Sequence, residues 1–126
     1  EVDTNELWEL SLVPGQEAWQ MLEPGGSRPE PMYLPAGVMT REQPPQLYVL
    51  GTVAWPVGMR PYAVDELWRI RLDDNPVWTK LTRPDFRPRP RVFPAISYDD
   101  LGNRLLLGAG ANDPVFRNDI WALTLP

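Results

Sequence analysis

The fold of this chain is decided by Asp65-Glu66-Leu67-Trp68-Arg69-Ile70-Arg71-Leu72, a segment that occurs three times. The first copy spans residues 5–12 (NELWELSL) and the last spans residues 118–125 (NDIWALTL). Successive copies lie 60 and 53 positions apart, measured between their tryptophans. Self-similarity at this spacing is typical of repeat architectures. Each copy is therefore interpreted as part of one repeated structural unit.

Apolar and polar side chains alternate in the central copy. Trp68 and Ile70 fall on one side of an extended chain, whereas Arg69 and Arg71 fall on the other. A period of two predicts a half-buried β-strand.

The first two copies are each followed by a turn and a second segment that begins with tryptophan. The turns are residues 13–16 and 73–76, and the segments are residues 19–22 (WQML) and 78–81 (WTKL). A short turn between two extended segments predicts an antiparallel hairpin in each unit.

Two further strands are predicted in each repeated unit. A Pro-, Gly- and Arg-rich stretch leads to a strand, and turn residues then lead to the most apolar strand, which ends in glycine. A continuous apolar run of this kind is typical of a strand buried on both faces. The stretches are 23–31 and 82–90, the strands after them are about 32–39 and 91–98, and the apolar strands are 46–51 and 103–108.

Four short strands per unit, with turns and no helical period between them, predict an all-β fold of four-stranded antiparallel β-propeller blades. The residues resemble the kelch repeat, in which an apolar strand ends in Gly-Gly, an Asn/Asp-led Trp or Tyr strand follows, and a second Trp comes after it. The glycine pair is represented by Gly51-Thr52 and by Gly108-Ala109-Gly110, and the second Trp by Trp19 and Trp78. Tyr98-Asp99 before the apolar strand also fits. The resemblance covers nearly the whole chain.

Lettered a to d from the propeller axis outward, the predicted strands read c-d, a-b-c-d, a-b-c. The single partial-propeller domain, residues 1–126, thus divides into a blade part (5–23), a blade (31–82) and a second blade part (91–126). Propellers close with roughly four to eight blades, so this chain cannot close alone. We favour a segment of a larger propeller over a homo-oligomer in which copies make one ring.

The composition excludes several kinds of chemistry. The chain contains no Cys and no His, which excludes disulfides, Cys–His and Ser–His–Asp catalysis, and imidazole-bound metal within it. The acid pairs Asp73-Asp74 and Asp99-Asp100 are typical of turns. Glu6, Glu66 and Asp119 recur in register and are interpreted as turn caps. We expect no cofactor, no metal site and no catalysis, although an enzymatic role stays open.

Charge and hydropathy bear on the partners. The net charge is −5, which disfavours nucleic acid and anionic membranes as partners. No apolar run approaches the roughly 20 residues that a membrane span requires. The expected partners are a protein or the remaining propeller blades.

The predicted binding face is formed by the d–a and b–c connections, which emerge on the same side of such a blade and are longer than the others. The second d–a stretch contains Arg83, Arg87, Arg89 and Arg91. Arginine pairs bidentately with carboxylates, and Trp, Tyr and Arg are enriched at binding hot spots. We therefore expect this face to bind an acidic peptide or protein. The candidate binding residues are Trp55, Arg60, Tyr62, Arg83, Arg87, Arg89, Asn112, Phe116 and Arg117.

Two alternatives stay open beside protein binding, which the kelch resemblance implies as the usual activity. Kelch-like propellers also include a copper oxidase, whose His and Cys-Tyr ligands this chain lacks, and a sugar epimerase. The second hypothesis is therefore a carbohydrate-binding or carbohydrate-active segment, with Trp55 and Tyr62 as stacking platforms. In the third, the segment is purely architectural, and its Arg-Pro alternation only keeps a connection soluble. The repeated tryptophans are interpreted as packing residues in every case.

Overall fold

The computed structural model describes residues 5–51, 53–54, 62–63, 65–81, 87–112 and 114–125. These residues form β-strands and turns and include no helix. The strands are β1 (Leu7–Leu10), β2 (Trp19–Leu22), β3 (Met32–Tyr33), β4 (Ala36–Met39), β5 (Gln46–Leu50), β6 (Val53–Ala54), β7 (Tyr62–Ala63), β8 (Leu67–Arg71), β9 (Trp78–Leu81), β10 (Ala95–Asp99), β11 (Arg104–Gly108), β12 (Ala111–Asn112), β13 (Val115–Phe116) and β14 (Ile120–Thr124).

Three antiparallel sheets carry most of the structure. The first sheet contains β1 and β2, the second contains β4-β5-β8-β9 in that order, and the third contains β10-β11-β14. None of the described sheets closes on itself. The predicted all-β class and the two Trp-led hairpins are confirmed, since β1 pairs with β2 and β8 pairs with β9, both antiparallel.

The second sheet lies between the other two. One of its faces carries Trp68 and Ile70, against which Leu7 of the first sheet packs. The opposite face carries Tyr48, which packs in one core with Leu105 of the third sheet. Side chains of a strand alternate between faces, so β5 has packed side chains on both sides, as its continuous apolar run predicts. In β8 the buried residues Trp68 and Ile70 lie on one face and Arg69 and Arg71 on the other, as the alternation predicts.

The pairing registers align the units residue by residue. Leu67 pairs with Leu50 in the second sheet, and Ile120 pairs with Gly108 in the third. In each pair the residue of β8 or β14 immediately precedes the repeat tryptophan. Leu50 and Gly108 therefore hold equivalent positions, and so do Gly51 and Ala109. The glycine motif instead aligns Gly51 with Gly108, which differs from the register by one residue.

The repeat tryptophans of the second and third sheets face the sheet that precedes them. Trp68 lies on the face of the second sheet that is covered by the first sheet and is 5% exposed. Trp8 occupies the same position in the first sheet, which has no described sheet before it, and is 50% exposed. Its neighbours on that open face are Leu10, Trp19 and Met21, which are also exposed.

The strand predicted at about residues 32–39 is divided into β3 and β4, which corrects the prediction. Between them lie Leu34, with a backbone φ of +54°, and Pro35. A non-glycine residue rarely adopts a positive φ, and proline offers no N–H to a ladder, so the strand cannot continue. Phe93, with a φ of +53°, and Pro94 repeat this corner. For the same reason the next strand begins at residue 95 and not at residue 91.

The connections between the second and third long strands of a unit contain short hairpins. β6 pairs with β7, and β12 pairs with β13. β6 also pairs with β3, and Val92 makes an isolated antiparallel bridge to Ala111. Each hairpin is thus attached to the segment that enters the first long strand of its unit.

That entering segment is itself a second repeat. Residues 28–36 read RPEPMYLPA and residues 87–95 read RPRPRVFPA, with Arg, three Pro and Ala at matching positions. Its two copies lead into the same left-handed corner. The corner is therefore encoded locally by the Arg-Pro stretch.

The order in which the sheets stack predicts that replacing the repeat tryptophan by alanine lowers the free energy of unfolding more at Trp68 than at Trp8. Trp68→Ala should lower the free energy of unfolding by about 3–5 kcal/mol, the cost typical of emptying a buried aromatic site. Trp8→Ala should cost clearly less, because half of that side chain is already exposed. Urea denaturation measures both. Equal losses at the two positions would contradict the packing described above.

Candidate functional site

A cavity of about 510 Å³ lies between the second and third sheets and is called the inter-sheet cleft. Its floor is apolar, and residues 87–91 together with the start of β8 form a charged rim. The volume falls in the range of roughly 300–1,000 Å³ that is typical of ligand sites. The floor comprises Leu50, Leu67, Leu81, Ile96, Leu105, Leu107, Trp121 and Leu123.

Most charges on the rim are paired with one another. The Arg87 Nε atom lies 2.8 Å from Asp65 Oδ2, and Lys80 forms an ion pair with Glu66. The Lys80 Nζ atom also lies 5.7 Å from the centre of the Trp68 ring. Ion pairs this exposed contribute about 0–1 kcal/mol to stability. Their main effect is to leave the rim nearly neutral.

Arg91 connects residues 87–91, which are called the linker, to the third sheet. Its side chain is 2% exposed, and its two terminal nitrogens donate to Asp119 Oδ1 at 2.6 Å and Asp119 Oδ2 at 3.1 Å. It also donates to the carbonyl oxygens of Ala109 at 3.0 Å and Arg89 at 3.1 Å. Sequence reasoning grouped Arg91 with the other linker arginines of the binding face. The structure gives it a structural role, because burial and these four contacts occupy its guanidinium.

Each repeat tryptophan donates its indole N–H to the carboxylate two positions earlier in the chain. The interpretation of these acids as turn caps missed this role. A buried indole N–H needs an acceptor, and the Glu/Asp-x-Trp spacing supplies one from the residue just before the strand. The nitrogen–oxygen distances are 3.0 Å for Trp8 and Glu6, 3.2 Å for Trp68 and Glu66, and 2.7 Å for Trp121 and Asp119.

The acid of the third repeat is held ionised. The hydrogen bonds from Arg91, followed by that from Trp121, hold the pKa of Asp119 well below its ordinary value. A carboxyl group with a lowered pKa is a poor proton donor at neutral pH. Asp119 instead fixes the positions of the Arg91 guanidinium and the Trp121 ring beside the cleft.

Two of the predicted binding residues lie on the rim of the cleft. Arg87 is occupied by its ion pair with Asp65. Arg89 is exposed, and the described residues include no partner for its side chain. Arg89 is therefore the rim cation most available to a ligand.

Three further predicted residues lie on or just after the β12–β13 hairpin. Asn112 belongs to β12, and Phe116 of β13 is 88% exposed. Arg117 is half-buried, and its Nε atom has no hydrogen-bond partner among the described atoms. The bridge between Val92 and Ala111 places this hairpin beside the linker. These three residues do not line the cleft.

The remaining predicted binding residues are not described at the side-chain level. Trp55, Arg60 and Arg83 lie outside the described residues. Tyr62 is placed only as a strand residue, paired with Ala54. The carbohydrate hypothesis rests on Trp55 and Tyr62 and stays a prediction.

Sequence reasoning also missed the cleft itself. It assigned binding to loops, whereas the cleft lies between two sheet faces that meet only in the folded chain. No single segment of the sequence signals such a space, because its walls come from two separate units.

The lowered pKa of Asp119 predicts a pH-dependent contribution to stability. Its folded pKa lies below its unfolded value of about 3.9, so this contribution is complete above that pH and is lost as the pH falls through the folded pKa. The stability difference between wild type and Asp119→Asn should be constant from about pH 7 to 5 and shrink below about pH 4.

Urea denaturation at each pH measures this difference. Glu6→Gln is the matched control, because Glu6 holds the same repeat position and has no cationic partner among the described residues. Its effect should be small throughout. A difference for Asp119→Asn that does not shrink in acid would contradict the stabilising role of its ionised form.

Among the described residues, no three acidic side chains are grouped so that they could hold a metal ion. No described segment is a helix with the length and apolar character of a membrane span. No family model matches this chain, and no match exists among the curated proteins or the solved structures compared with it.

Proposed function

We propose that the three stacked sheets are successive blades of an incomplete kelch-type β-propeller, and that this segment binds a protein partner without catalysis. The strand order within the second sheet and the tryptophans of the second and third units, which face the preceding sheet, support the propeller assignment. The observation that carries the binding assignment is the inter-sheet cleft, with its apolar floor and, on its rim, the exposed Arg89, whose side chain has no partner among the described residues.

The charges around the cleft refine the chemistry of the partner. Because Arg87, Lys80 and Arg91 are already paired with acids, the rim does not favour a strongly acidic ligand. The apolar floor favours an apolar or aromatic side chain, since burying such groups drives association. Arg89 favours one carboxylate beside that side chain. The partner is thus a peptide segment with an apolar anchor and a neighbouring acid.

An exposed aromatic extends this surface. Phe116 lies on the β12–β13 hairpin, which the bridge between Val92 and Ala111 attaches to the linker. Aromatic side chains supply large contact area at protein interfaces. Phe116 would contact the partner outside the cleft, and Asn112 would offer polar contacts next to it.

Selection from a random peptide library on the immobilised protein tests this function. The bound peptides should share an aromatic or large aliphatic residue with an acidic neighbour. A glycan array run in parallel tests the carbohydrate alternative. Binding to glycans without any selected peptide would contradict protein binding.

Arg89→Glu should weaken the best selected peptide by about tenfold or more, because a charge-assisted hydrogen bond is replaced by repulsion between like charges. Its matched control is Arg28→Glu, an exposed arginine of the other Arg-Pro repeat that does not line the cleft. Isothermal titration calorimetry at two salt concentrations measures both. If both substitutions weaken peptide binding equally, Arg89 is not part of the binding site.

A further inference from the structure

The two Arg-Pro segments, residues 28–36 and 87–95, present opposite charges at one equivalent position. Glu30 of the first segment matches Arg89 of the second. Both side chains are exposed, and the prolines on either side of each are buried or half-buried. The described residues include no partner for the Glu30 carboxylate, as they include none for the Arg89 guanidinium. Neighbouring units therefore carry an acid and a base that are both available to a ligand at matching places.

Both segments are fixed at equivalent points. Asn5 Nδ2 donates to the carbonyl oxygen of Pro29 at 2.9 Å, and the Arg87 Nε atom lies 2.8 Å from Asp65 Oδ2. Asn5 and Asp65 are the first residues of their copies of the repeat. The far end of each segment is paired with the short hairpin of its unit. A segment that is held at both ends loses little conformational entropy when its exposed side chains bind a ligand.

An apolar groove of about 470 Å³ lies between the two left-handed corners into which these segments lead, and it is called the corner groove. It is lined by Leu34 and Pro35 of one corner and by Phe93 and Pro94 of the other. Phe93 is 68% exposed. The groove thus lies between the second and third units, at the ends of the two segments that carry the opposite charges.

The charges on its two sides decide what the corner groove favours. An apolar groove alone favours any apolar group. With an acid in the segment on one side and a base in the segment on the other, it favours a ligand with complementary charges at its two ends. Glu30 would repel a purely acidic ligand, and Arg89 would repel a purely basic one.

We propose that the corner groove binds a dipolar peptide segment, in which an apolar residue occupies the groove, an acidic residue pairs with Arg89 and a basic residue pairs with Glu30. This inference rests on the proposed function, because it names a further subsite and a further charge requirement for the same peptide partner. The groove adjoins the inter-sheet cleft, since Ile96 lines both, but it requires no ligand in the cleft. The acidic end of the peptide lies over the third unit and the basic end over the second.

The distance between units sets the spacing of the two charges in the peptide. Stacked sheets lie about 10 Å apart, and an extended chain spans about 3.3 Å per residue. The basic residue of the peptide therefore lies about three positions from the acidic residue, with the apolar residue between them.

Three capped synthetic peptides are the probes: Gly-Asp-Phe-Gly-Lys-Gly, the same peptide with glutamine in place of lysine, and the same peptide with aspartate in place of lysine. Their affinities are measured by titration of the isotopically labelled protein, followed by its amide chemical shifts. The lysine peptide should bind about two- to fivefold more tightly than the glutamine peptide, as is typical of an exposed ion pair, and the aspartate peptide should bind most weakly. Equal affinities of the three peptides would overturn the inference.

Glu30→Arg should reverse this order, so that the aspartate peptide binds more tightly than the lysine peptide. Glu23→Arg is the matched control, because Glu23 is exposed, does not line the groove and gives the same change in net charge. It should leave the order unchanged. Phe93→Ala removes an exposed wall of the groove and should weaken all three peptides. Circular dichroism establishes that the variants fold, and an order that survives Glu30→Arg would overturn the inference.

The outcomes separate this inference from the proposed function. If library-selected peptides bind and lose affinity with Arg89→Glu but are unaffected by Glu30→Arg and by Phe93→Ala, protein binding stands and binding at the corner groove is overturned. If the probes shift only the amides of β11 and β14, they occupy the inter-sheet cleft, and the inference is likewise overturned. If neither the library nor the probes yield binding, both proposals fail.

Discussion

Burial of the Trp68 indole ring between the first and second sheets is the interaction on which the rest of the structure depends. The ring needs an apolar face opposite it, which the preceding sheet provides, and its N–H needs an acceptor, which the residue just before the strand provides. Trp68 has both, with the first sheet against its ring and Glu66 at its nitrogen. One short motif therefore specifies the strand, the sheet against which it stacks and the position of the acidic residue that accepts the indole hydrogen bond. Stacked repeats of this kind derive their stability from neighbours.

The sequence predicts this scaffold well where the signal is local. The Trp-led hairpins and the doubly buried strand follow from alternation and turn residues alone. The divided strand at Leu34 does not, because the pattern of apolar residues runs on through the proline, although the matched Arg-Pro repeat marks the corner. The Glu/Asp-x-Trp spacing also indicates the hydrogen bonds between the indole N–H groups and the carboxylates. They were not predicted because the acids were interpreted only as turn caps.

The candidate site is harder to predict because its geometry depends on distant pairs. Arg89 and Arg91 are two residues apart and look alike in sequence, yet one is exposed and the other is 2% exposed. What separates them is Asp119, 28 positions further along the chain, which draws only Arg91 inward. The cleft has the same origin: it is a space between faces, so no single segment encodes it. The sequence predicts Arg89 as a binding residue, but it does not predict the apolar floor of the inter-sheet cleft beside it.

The unequal exposure of Trp8 and Trp68 gives the stack a direction. The outer face of the first sheet presents Trp8, Leu10, Trp19 and Met21. The outer face of the third sheet instead mixes small side chains, such as Ala95 and Ala122, with Leu106 and Ile120. The two outer faces therefore offer a neighbouring surface different contacts: two large aromatic rings on one and aliphatic groups on the other.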